Sequence, residues 1–161
     1  MEIKNEFEGM PDFDGYFKLL DEFCQEEGDE WKPNLRRLSA KKLYEQGWKI
    51  LVYSQIFCES FVSEEAKAQI YLIKQNVDII CPKIVGAEGG GIYSILMENA
   101  SIIRTNMKEL LVQIFASTMF EEANESYADV LRTEIDVFRS YFKEWVSLFE
   151  KDDCEDEWGL Y

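Results

Sequence analysis

The stretch from Ile92 to Phe120, IYSILMENASIIRTNMKELLVQIFASTMF, constrains this chain more than any other. On a wheel of 3.6 residues per turn, Ile92, Tyr93, Leu96, Ala100, Ile103, Met107, Leu110, Leu111 and Ile114 form one continuous apolar arc, wider than the stripe of a helix lying on a surface. Such a helix expects neighbours on more than one side, as the spine of a helical core does. A second line crosses the wheel at intervals of seven: Asn99, Asn106 and Gln113. Flanked by Ile92, Ile103 and Leu110 on one side and by Ile95, Ile102 and Phe120 on the other, these amides are expected to face inward. Each should then hydrogen-bond to another helix, since an unsatisfied buried polar group costs about 1–3 kcal/mol.

The rest of the chain reads as helices arranged round this spine. Pro11 opens a short helix with Phe13, Tyr16, Phe17, Leu20, Phe23 and Cys24 on its apolar side, stopped at Gly28. Pro33 and Asn34 start a long helix reaching to about Val62, in which Gly47 marks a close approach to a neighbour. Ser63 caps a third helix, with Glu64 and Glu65 at its positive end, and Pro82 should kink it near Ile79. The run GAEGGG, Gly86 to Gly91, is read as a turn before the central helix. It is not a phosphate loop, which requires a preceding strand and a following lysine. Asn124 caps a last helix whose seam is Leu131, Ile135, Phe138, Phe142, Trp145 and Phe149. Four long helices joined by short connections predict an all-α chain, an up-and-down antiparallel four-helix bundle with a short additional N-terminal helix. Residues 1–161 form a single helical domain on this reading, with 1–9 and 152–161 loose and acidic.

Composition removes several function classes. The chain has no histidine, which excludes Ser-His-Asp and Cys-His catalysis, His-ligated zinc and the Glu-x-x-His di-iron pattern. Cys24, Cys58, Cys81 and Cys154 lack metal-ligand spacing, and the first three fall on apolar faces as reduced core residues. No metal or other cofactor is expected. Glu98, Arg104, Lys108 and Glu109 interrupt the best apolar stretch, so no membrane span is expected, and the acidic N-terminus does not resemble a signal peptide. A cytoplasmic location is the expectation.

The net charge of −15 is concentrated at the two ends. Residues 1–33 hold 11 acids and 3 bases, residues 121–161 hold 13 acids and 4 bases, and the 87 residues between hold 8 acids and 10 bases. A chain so charged is repelled by nucleic acid and by anionic membranes. Arg36, Arg37, Lys41 and Lys42 are the one basic cluster, expected to pair with Glu26, Glu27, Asp29 and Glu30 just before it.

These features predict a protein-binding or regulatory protein of the inhibitor, immunity or adaptor type. Its acidic tail, Asp152, Asp153, Glu155, Asp156 and Glu157, would meet a basic partner protein. Homo-oligomerisation through Met97 and Phe115 on the central helix is a further expectation. The alternative is an enzyme or small-ligand binder built on Glu134, a carboxylate inside the apolar arc of the last helix, with Asn99, Asn106 and Gln113. The bland reading of Glu134 is a structural acid accepting from a tyrosine hydroxyl or a central amide.

Overall fold

The computed structural model describes residues 8–24, 34–120, 123–154 and 157–159, with the backbone alone for 19–24. It is all-α: among the described residues there is no strand. The helices are α1 (Phe13–Cys24), α2 (Leu35–Glu59), α3 (Lys67–Asp78), α4 (Ile80–Gly90), α5 (Tyr93–Met119) and α6 (Glu125–Ser147), with a 3₁₀ turn at Glu64–Ala66.

Local chemistry sets most of the starts. The side chain of Asn34 accepts from the backbone N–H of Arg37, Ser63 from Glu65 and Asn124 from Ser126, each satisfying an otherwise orphaned donor. α5 begins differently. Ile92 stands at its N-cap with no side chain to offer, and the backbone N–H of Tyr93 instead donates to Asp152 Oδ2 at 2.7 Å, from far along the chain.

The helices pack as a ring in which α5 is one member and not, as expected, the spine at its centre. α2 lies against α6 and against the α3–α4 pair, and α5 lies against α3–α4 and, more sparsely, against α6. α2 and α6 run in opposite senses: Lys42 meets Glu144, Gln46 meets Glu134, and Ser60 meets Asn124. Buried residues on α5 are Leu96, Ala100, Ile103, Met107, Leu110, Ile114 and Ser117, a strict three-four alternation along the expected arc. Trp145, Leu131 and Phe57 sit at the centre of the core.

Two expectations need correction. The third helix is not kinked but broken: α3 ends at Asp78, Ile79 makes the turn, and Pro82 sits exposed in the first turn of α4, where its missing N–H costs no helical bond. The glycine run is not a turn either. Gly86, Gly89 and Gly90 are the last residues of α4, and only Gly91, at φ 69°, leaves the helix. Glycine disfavours helix by about 1 kcal/mol per residue, so tertiary packing holds this end. A side chain on Gly90 would meet Ile95 Cγ2 at 2.5 Å, so α4 and α5 approach there as only glycine allows. Gly47 makes the predicted close crossing, its missing Cβ lying 3.3 Å from Cys81 Sγ and from Ile80 Cγ2. The stop expected at Gly28 and the start at Pro33 lie outside the described residues, as do the side chains of Leu20, Phe23 and Cys24.

Candidate functional site

Among the described residues the most deeply buried acid is Glu88, in the last turn of α4. A carboxylate there faces two costs: desolvation, and the negative end of its own helix dipole. Two donors from other helices offset them. The indole Nε1–H of the fully buried Trp145 donates to Glu88 Oε1 at 2.8 Å, and Arg36 Nε lies 3.3 Å from both carboxylate oxygens. The first turn of α2, the last turn of α4 and the last turn of α6 are thereby tied together. Sequence reasoning missed this clamp because it read the glycines as a turn. The signal was present: position 88 continues the inward series Val77, Ile80, Ile84 once the helix is extended through them.

Glu134 is held too, by different groups from those expected. Its Oε2 accepts from Gln46 Nε2 at 2.7 Å, and its Oε1 lies 3.1 Å from Lys49 Nζ. Both of these partners are on α2, and neither is a tyrosine or a central amide. The same Gln46 Nε2 donates to the backbone carbonyl of Glu134 at 2.9 Å.

The amide line of α5 is half-buried, not buried, and it crosses to another helix only once. Asn99 Nδ2 donates to Ile95 O and Asn106 Nδ2 to Ile102 O, each within α5. Gln113 alone reaches out: Gln69 Nε2 of α3 donates to its side-chain and backbone oxygens. The reason is reach. An asparagine side chain on a helix closes readily on the carbonyl four residues back, whereas glutamine is one carbon longer. The partners of Gln113 are on α3 and those of Glu134 on α2, so the four proposed ligand-binding residues do not assemble into one site.

The basic cluster is engaged within the chain. Besides the Arg36 clamp, Arg37 lies over the Phe17 ring at 4.3 Å, Lys41 pairs with Asp14, and Lys42 lies 3.8 Å from Glu144. The expected partners Glu26, Glu27, Asp29 and Glu30 are outside the described residues. Lys41 is pushed above its ordinary pKa, chiefly by its bond to Asp14.

The acidic tail divides. Asp152 is committed to the fold, accepting from Tyr93 N and from Cys154 N at 3.1 Å; the bond from Tyr93 favours the ionised carboxylate and lowers its pKa. Asp153 and Glu157 are exposed, and Glu155 and Asp156 lie outside the described residues. Cys58 and Cys81 are free, buried thiols raised by desolvation to about 11 and about 12. Burial likewise raises the Tyr44 phenol to about 12.

What the chain leaves open is apolar. Val112, Phe115 and Met119 recur at three and four residues along α5 with 62%, 62% and 66% of their surface exposed, and Phe120 follows at 69%. Val62, 89% exposed, is at the same end, where Asn124 N donates to Ser60 Oγ. Among the described residues no helix is long and apolar enough to cross a membrane. Comparison with protein-family models, with curated proteins and with solved structures returned no match.

Proposed function

We propose that this chain is a protein-binding or regulatory module that acts by contact and not by catalysis. The observation that carries this reading is the exposed apolar row Val112, Phe115 and Met119 with Phe120. Apolar side chains at i, i+3 and i+7 are the pattern by which one helix docks on another protein, and contiguous exposed apolar surface marks interaction sites. The enzyme reading loses its main support, since Glu134 is bound by Gln46 and Lys49 and stands apart from the amides. The acidic tail enters without Asp152, which caps α5: Asp153, Glu155, Asp156 and Glu157 are left for a basic partner. A cytoplasmic setting belongs to the same reading. The scaffold we infer is an up-and-down four-helix bundle in which α3 and α4 together serve as one rod.

A photo-crosslinking amino acid at position 115, with position 75 on the exposed face of α3 as control, tests this in the native cell. A discrete heterologous product from 115 and none from 75 is expected. Identical patterns from both positions would refute the reading, and a product made only of two copies of this chain would replace it with a homo-oligomer.

A further inference from the structure

The seam between α5 and α6 differs in charge from everything the composition suggests. A trough of about 280 Å³ runs along it, floored by Met107, Leu111, Ile135, Phe138 and Phe142. Its rim carries Arg104 and Lys108 from α5 and Arg139 and Lys143 from α6, all four exposed. A second trough, of the same volume, continues it past Arg104 and Phe142 to Met97 and Val146. Arg139 lies 2.8 Å from Asp136, whereas among the described residues Arg104 reaches only the Ser101 hydroxyl, at 3.4 Å. Lys108 and Lys143 make no ion pair among the described residues. Most of the rim's positive charge is therefore uncompensated inside a chain of net charge −15.

An apolar floor between two basic rows has the charge and shape complement of one kind of object: an apolar stripe flanked on both sides by acids. We infer that this trough is the docking site for an acidic amphipathic helix of a partner protein. The inference deepens the reading above and rests on it for the partner's being a protein. From Met97 to Leu111 the trough spans about 21 Å at the helical rise, which seats roughly four turns. Glutamates flanking the partner's apolar stripe would face the four cations as charges flank a coiled-coil seam. The occupant's sign is opposite to the one that net charge favours. Screening makes this consistent, because at physiological salt the field of the acidic ends fades over about 8 Å while the rim cations act at contact. The same acidic ends oppose docking on an anionic bilayer.

Two synthetic peptides of about four turns test this against the full-length chain by fluorescence anisotropy. They share one leucine and phenylalanine stripe and differ only in carrying glutamate or lysine beside it. The glutamate peptide should bind on the order of tenfold more tightly, the summed effect of four exposed charge pairs, and added salt should narrow the gap. Reversing Arg104, Lys108, Arg139 and Lys143 to glutamate should invert the preference. The four-glutamine variant should abolish it, and Met97→Ser should weaken the glutamate peptide's binding. Thermal melts by circular dichroism confirm that each variant is folded. A wild-type preference for the lysine peptide, or glutamate-peptide binding unchanged in the reversed variant, would overturn the inference. So would phosphatidylserine-vesicle binding that needs the four cations where neither peptide discriminates, or a dimer that the reversed variant dissolves. A heterologous crosslink from position 115 without any peptide preference would sink the trough's assignment and leave the protein-binding reading standing.

Discussion

Helix α6 packs along α2 and along α5, and it meets the two in opposite ways. Against α2 it is sealed: Leu131 and Trp145 are fully buried, Glu134 is bound by Gln46 and Lys49, and Lys42 reaches Glu144 across the seam. Against α5 it stays open, with Phe142 and Leu111 half-exposed and cations along both edges that find one acid among the described residues. Both seams use the same kinds of apolar residues at the same spacing. What separates them is whether the charges beside the seam are answered from within the chain. Where they are, the seam belongs to the core; where they are not, it is available to something else.

Three tests sharpen or break this contrast. The largest effect is expected at the clamp that closes the end of the sealed side. Arg36→Met should cost about 3–5 kcal/mol in urea unfolding, because it strands the Glu88 carboxylate in the interior without its cation. Arg104→Met on the open seam should stay within about 0.5 kcal/mol. Adding Glu88→Leu to Arg36→Met should recover much of the loss, since the cost lies in the unpaired charge. Equal losses for Arg36→Met and Arg104→Met would erase the distinction between the two seams.

The apolar contacts should scale the same way, by a smaller margin. Leu131→Ala removes a fully buried side chain and should cost about 2–5 kcal/mol, while Leu111→Ala, beside the trough, should cost roughly 1 kcal/mol. A Leu111→Ala loss matching that of Leu131→Ala would mean that the α5–α6 seam is closed in solution.

The smallest effect concerns Asp152, which caps α5 from the tail. Its carboxyl is held below its ordinary value by the bond from Tyr93 N. A depressed folded pKa contributes stability above the unfolded value, about 3.9, and that contribution disappears as the pH falls through the folded pKa. Asp152→Asn should therefore flatten the acid limb of stability against pH, by lowering the neutral plateau slightly while leaving stability in strong acid nearly unchanged. Superimposable acid limbs for the two proteins would show that the tail does not cap α5 in solution.

Much of the fold was legible because it depends on periodicity and on local capping. The α5 arc, the α6 seam, the caps Asn34, Ser63 and Asn124, and the close crossing at Gly47 are each written in spacings of three and four or in one polar residue before a helix. The candidate sites were less legible. Glu134 was singled out correctly as an inward acid, yet its partners on α2 are remote in sequence. The amide line was phased toward the interior, but Asn99 and Asn106 satisfy themselves on their own helix.

The sequence by itself determined that this chain is helical, where its helices bear their apolar faces, and that its acids gather at its ends. Those properties follow from neighbouring residues, whose interactions are local and nearly independent of what the chain later meets. Only the tertiary structure decided that a glycine-rich run is a helix end, that Glu88 is the interior's clamped acid, and that four cations scattered over α5 and α6 line one apolar trough. The clamp joins groups 52 and 57 positions apart in the chain, and the trough joins residues 104–111 of α5 to residues 135–143 of α6. A desolvated carboxylate, a helix end with no intrinsic preference and a shared electrostatic field all take their energy from such neighbours, and no window along the sequence contains them.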